Sequence, residues 1–224
     1  MSAAIEVVRR ASLRTTRLSV DPLTGRVRLA LPARASLKRA LAWAEGKRDW
    51  IDAQRARLPQ PRPFVPGARL PVAGEEVAIV WDAGLPRTPV RDGARLLVGG
   101  PAEAVSERVR RWLVREALRL LSAETAEYAA RAGVTVAKVG VGDPRSRWGS
   151  CAATGAIRYS WRLLLAPPEV RRATVAHEVA HRVHMHHGPA FHALVAELYE
   201  GDVTATRDWL RRHGAGLHWF GREG

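Results

Sequence analysis

The 224-residue chain has one cysteine, Cys151, which excludes an internal disulfide framework and agrees with a reducing compartment. It has no apolar run approaching the ~20 residues that span a bilayer. In "MSAAIEVVRRASLRTTRL" arginines follow only a short apolar stretch, so there is no signal-peptide core. The expectation is a soluble cytoplasmic protein with no membrane partner. Lysine is also scarce: Lys38, Lys47 and Lys138 are the only three among 36 basic residues, so arginine carries a formal charge of +14. Arginine forks bind phosphate bidentately, which makes a nucleic acid or nucleotide partner one reading of this charge. The other reading is an arginine-heavy genome, because the arginines are spread along the chain rather than blocked. The sequence has no internal repeat and no low-complexity tract. With 46% hydrophobic residues, it has the composition of a globular protein of one large domain or two small ones.

Residues 1–100 read mainly as strands and turns. "TTRLSV" and "RVRLALP" flank "DPLTG", a hairpin signal, and "SLKRALAWAEGKRDWIDAQRARL" is helical with a break near Gly46. "PQPRPFVPG", with four prolines in nine residues, can only be a loop or linker. Two short strand pairs follow, with Asp92-Gly93 as a tight turn. From Pro101 the pattern changes to a long helical segment ending at Gly133, then a strand "VTVAKVGV", a turn-rich loop "GDPRSRWGSC" and a second strand "AIRYSWRLLL". "PPEVRRATVAHEVAHRVHM" is a proline-opened helix. Short helices from about Pro189 to Tyr199 and from Thr204 to Arg212 end the chain. The expected organisation is α+β, with a smaller β-rich N-terminal domain over 1–100 and a second domain over 101–224.

Six of the eight histidines fall between residues 175 and 192, in "VAHEVAHRVHMHHGPAFH". His177-Glu178-Val179-Ala180-His181 is an HExxH sequence within the helical segment. The i, i+4 spacing puts both imidazoles on one helix face, where they can share one tetrahedral ion such as Zn2+. Glu178, about 100° around the helix from His177, can take a proton from an activated water without becoming a ligand. The apolar neighbours Val175, Ala176, Val179, Ala180 and Val183 indicate a mostly buried helix, where unpartnered histidines would be costly.

A third ligand must come from downstream. His184 lies a further turn along the helix, and His186 and His187 stand where the helix should stop before Gly188-Pro189. His192 falls on the following helix, and Glu197 or Glu200 would supply a carboxylate instead. His187 is ten residues after His177, the spacing of metzincin proteases. With only Met1 and Met185 in the chain, however, there is no methionine turn, and His184 stands where that family needs glycine.

Taken together, "RWGSC…GAIRYSWRLLLAPPEVRRATVAHEVAHRVHMHHGPAF" resembles the YgjP-like metal-dependent hydrolases, relatives of the SprT-like zinc proteases. The resemblance covers roughly residues 10 to 220 and is strongest from Arg147 to Phe191. It implies His177 and His181 as ligands, Glu178 as base and His187 as third ligand, in a zincin-like catalytic domain behind the smaller β-rich domain. Ser160 and His186 stand where the family carries asparagine, and His192 where it carries tryptophan, so the substrate cleft differs. "GAIRYSW" is expected as the edge strand of the catalytic sheet, open to an extended peptide or protein substrate. Cys151 reads as buried and structural, and Arg145, Arg147, Arg171 and Arg172 as arginines able to bind phosphate or a carboxylate. The expected activity is zinc-dependent peptide hydrolysis. A metal-dependent nucleoside triphosphate hydrolase and a DNA-associated protease of SprT-like type are the alternatives.

Overall fold

The computed structural model describes residues 5–223, a mixed α+β chain whose described residues form six α-helices and three small sheets. Contacts divide the chain into two units, Met1–Gln60 and Pro61–Gly224. The division falls inside the proline-rich segment, where fixed φ angles and missing N–H donors prevent a regular element from crossing. The boundary expected near residue 100 instead lies within the second unit. The reason is shared burial. Leu70, Val72, Val77, Ile79, Leu96 and Val98 from the strands before residue 100 belong to the same apolar core as Val109, Leu113, Val175 and Val179. Among the described residues, no helix is long and apolar enough to cross a membrane.

In the first unit, β1 (Ile5–Arg10), β2 (Arg17–Val20) and β3 (Val27–Pro32) form a sheet in the order β1-β3-β2. The β2–β3 hairpin is the one expected from "DPLTG", with Asp21 Oδ1 accepting from the Leu23 N–H at 2.8 Å. Two helices follow, α1 (Leu37–Glu45) and α2 (Arg48–Ala56), separated at Gly46 as the sequence suggests. Leu29 and Leu31 pack with Ala40 and Ala44 to make a small separate core.

The second unit begins with β4 (Arg69–Val72), β5 (Glu75–Trp81), β6 (Val90–Asp92) and β7 (Arg95–Val98), ordered β4-β5-β7-β6. The β4–β5 turn needs Gly74: its φ is +92°, and a Cβ there would lie 2.6 Å from Cγ of Pro168. Helix α3 (Val105–Arg131) then runs beside a second sheet of β8 (Lys138–Gly142), β9 (Gly149–Cys151) and β10 (Ala156–Ser160). Its order is β8-β10-β9, with β10 parallel to β8 and antiparallel to β9. The strand expected at the edge, β10, is therefore central. Ile157 and Tyr159 point into the core, and strands on both sides use its backbone groups. "RWGSC", expected as loop, supplies the edge strand β9. "WRLLL" is a 3-10 turn rather than strand, held in part by Ser160 Oγ accepting from the Arg162 N–H.

Three helices complete the unit: α4 (Pro168–Ala180), α5 (Pro189–Tyr199) and α6 (Val203–Leu217). Helix α4 is joined to α3 by a buried ion pair, Arg171 with Glu124, at 2.9 Å. The chain end is tied down by Arg162, which donates to both Asp143 oxygens and to the carbonyls of Leu217 and Phe220. Burial alone would raise the Asp143 carboxyl, but the Arg162 hydrogen bonds and charge hold it below the usual carboxylate range.

His218 lies against this network, its ring 5.5 Å from that of Trp148. Burial, then the charge of Arg162, pushes its imidazole down to about 4. Below pH 6.5 the unfolded chain protonates this histidine while the folded chain does not, so stability should fall as the pH drops from 6.5 to 4. The loss is on the order of 3 kcal/mol. Denaturant melts of the wild type and His218→Gln across that range check this. The variant should show a shallower dependence on pH.

Candidate functional site

The first two histidines of the motif sit at the C-terminal end of α4, but the helix is shorter than its apolar pattern suggests. It stops at Ala180, and His181 is its C-cap. Beyond it the backbone tightens: Arg182 N–H reaches Val179 O, and the N–H groups of Val183 and His184 both reach Ala180 O. Arg182 Nε–H donates to the Thr135 carbonyl at 3.1 Å, which holds this turn against the end of the α3–β8 connection. The chain reverses through Met185–Gly188 and starts α5 at Pro189, where a missing N–H costs nothing.

This reversal brings His187 back over the motif. One nitrogen each from His177, His181 and His187 lies within 4.8 Å of the others, and the Nε2 atoms of His177 and His187 approach to 3.2 Å. Tetrahedral Zn–N bonds of ~2.0–2.1 Å place ligand nitrogens roughly 3.3 Å apart, so the set suits one ion. His181 Nδ1–H donates to the His184 carbonyl at 3.1 Å, which leaves its Nε2 lone pair free to bind. Burial, then the neighbouring His181 and His187, hold His177 down to about 4. Burial also lowers His181, against the opposing hydrogen bond to His184. Both rings are therefore neutral at pH 7, the form in which imidazole binds a cation.

Of the other downstream candidates, none enters this donor set. His184 contributes its carbonyl, His186 is exposed, and the His192 ring lies 6.3 Å from that of His187 at the cavity wall. Glu200 pairs with Arg131, and the Glu197 carbonyl accepts from the same arginine. Cys151 is half-buried, its thiol raised chiefly by burial, and its Sγ turns to the Ala152 carbonyl.

Glu178 is 5% exposed and accepts no hydrogen bond among the described residues. Burial lifts its carboxyl to about 7, against the opposing charge of Arg147. Its seat is made by Gly149 on β9. A Cβ at that position would lie 2.5 Å from Glu178 Oε1 and 2.6 Å from its Cγ. Gly149→Val should therefore displace the carboxylate and cut hydrolysis by about 100-fold while metal content stays the same. Loss of metal from this variant would show that the glycine supports the histidines instead.

Phe191, buried on α5, backs the three imidazoles with ring centroids 4.9, 4.5 and 4.7 Å from His177, His181 and His187. The "HGPAF" stretch shows this phenylalanine, but nothing in the sequence says that it forms the floor of the site. A cavity of about 490 Å3 opens over the cluster, lined among others by Arg147, Trp148, His192 and Arg207. Arg171 and Arg172 are not available to a substrate, since Glu124 and Glu127 bind them. Arg147 remains on the cavity wall. Arg207, from α6, joins it there, and its spacing gave no signal of this.

A buried carboxylate beside three clustered imidazoles, opening into a cleft, is an arrangement that suits a metal-dependent hydrolase. The chain belongs to the YgjP-like family: the model of the YgjP-like, metallopeptidase domain matches residues 14–213, which makes the protein a metal-dependent peptidase in general terms. No curated protein and no solved structure matches it.

Proposed function

We propose that the protein is a zinc-dependent peptidase with a zincin-like arrangement, in which His177, His181 and His187 hold the ion and Glu178 is the general base. The convergence of three imidazoles beside a buried carboxylate that accepts no hydrogen bond among the described residues carries this reading. Zinc, if held by these three histidines, would supply Lewis acidity and lower the pKa of a water molecule toward about 7. Glu178 is placed to take a proton from the attacking water and return it to the leaving amine, a relay suited to a carboxyl held near 7. The His184 carbonyl fixes the tautomer and tilt of His181. Phe191 excludes water from the back of the cluster, and Trp148 closes the cleft against α6, where a Cβ on Gly214 would lie 2.7 Å from its ring.

An extended peptide is bound along β9, the sheet edge beside Glu178, by main-chain hydrogen bonding. Arg147 and Arg207 are exposed at the cleft and form no ion pair among the described residues, although the charge of Arg147 reaches Glu178, which favours substrates carrying a carboxylate near the cleaved bond. The same two cations keep a nucleoside triphosphate as the second reading of the substrate.

The test is a comparison of substrates on metal-defined protein. One zinc per chain should be measured, with stoichiometry lost in His177→Ala and His181→Ala. Peptides with acidic residues should be cleaved faster than their amide counterparts, and a chelator should abolish the activity. Turnover of nucleoside triphosphates without cleavage of any peptide would overturn the peptidase reading.

A further inference from the structure

The arginines are dispersed in the sequence, but five converge in space away from the histidine cluster. Arg87, in the β5–β6 connection, and Arg108, Arg110, Arg111 and Arg115, in the first turns of α3, line a cavity of about 360 Å3 together with Thr88. The positions 108, 111 and 115 follow the i, i+3, i+7 spacing that forms one stripe on a helix. This cavity shares no lining residue with the one over the histidines. Arg111 precedes Glu124, the α3 residue bound to α4, by 13 positions, or about 20 Å of helix.

The surrounding groups do not neutralise these charges. Glu107 is the one carboxylate paired with any of the five among the described residues. It accepts two hydrogen bonds from Arg110 at 2.8 Å each and lies 3.8 Å from Arg111. Arg108 is held by the carbonyls of Gly99 and Pro101, which orient the guanidinium without cancelling its charge. Asp143, whose charge also reaches Arg110, is bound on both oxygens by Arg162. Arg87 and Arg115 have no hydrogen-bond or ion-pair partner among the described residues.

Five guanidiniums around one concavity repel one another, and a ligand with several clustered negative oxygens relieves that repulsion. Guanidinium forks match phosphate oxygens bidentately. We propose that this cavity is a binding site for a compact polyphosphate group, separate from the hydrolytic centre. Two features favour a compact anion over a nucleic-acid strand. The arginines close around one pocket rather than following a groove, and no aromatic side chain lines it to stack a base.

The probe is inorganic tripolyphosphate, titrated calorimetrically into the full chain and into Arg87→Gln/Arg115→Gln. Both side chains are exposed and unpaired, so the double variant should melt at the wild-type temperature. The wild type should bind one tripolyphosphate per chain, and the double variant should bind it about 30-fold more weakly or less. Absence of binding to the wild type would overturn the proposal. So would equal binding by the double variant, which would place the anion at the histidine cluster or on scattered arginines. A single-stranded oligonucleotide that binds more tightly than tripolyphosphate, with the same sensitivity to the double variant, would replace it with a nucleic-acid site.

Discussion

Glu178→Gln should retain one metal ion per chain and lose about 1,000-fold in kcat/KM toward peptides, within the range that a positioned general base contributes. The substitution conserves the shape of a side chain seated against Gly149 and removes only its ability to take a proton. Because the carboxylate accepts no hydrogen bond among the described residues, the substitution takes an acceptor from no protein donor, and the new amide N–H groups face the cleft that the cavity opens to water. The thermal midpoint should therefore not fall, and a neutral amide is easier to bury than an ionised carboxylate. Metal analysis and steady-state kinetics on the same preparation separate the outcomes. Unchanged hydrolysis would remove Glu178 from the mechanism, whereas loss of metal would make it a ligand.

Arg171→Met should destabilise the protein by about 3–5 kcal/mol, because it leaves the Glu124 charge buried without a partner. The two side chains are 5% and 6% exposed, and Arg171 meets the carboxylate with both Nε–H and Nη2–H. Arg171 Nη1 finds no hydrogen-bond partner, so the pair is not fully satisfied even when intact. Replacing both partners with apolar residues, Glu124→Leu with Arg171→Met, should accordingly recover most of the loss. Denaturant unfolding at fixed metal concentration measures both. If the double variant is no more stable than the single one, packing around the pair matters more than its charge. Because this pair sets α4 against α3, the single variant should also weaken metal binding at His177 and His181, which α4 carries.

Much of the site was legible in the chain because its first part is local. His177, Glu178 and His181 lie within five residues, and helical spacing alone puts the two imidazoles a turn apart. The hairpin around "DPLTG", the break at Gly46 and the start of α5 at Pro189 were legible for the same reason: turn and cap chemistry acts over a few residues. The end of α4 was not. The run of apolar residues continues past His181, but the Arg182 bond to the Thr135 carbonyl and the His181 bond to the His184 carbonyl favour a tight turn instead.

The sequence by itself determined that a short segment would offer several imidazoles beside one acid, and that arginine would dominate the charge. Tertiary structure decided which of those groups meet. His187, rather than His184, His186 or His192, joins the first pair because the chain reverses after Ala180. β9 rather than β10 became the sheet edge, since β8 and β9 take up both sides of β10. Arg171 and Arg172 were withdrawn into ion pairs with α3, while Arg87 and four arginines of α3 were gathered around one cavity. The spacing of His187 from His177 and the stripe of Arg108, Arg111 and Arg115 are local, but the sheet order, the ion pairs with α3 and the meeting of Arg87 with α3 depend on contacts between residues far apart in the chain, which no local spacing encodes.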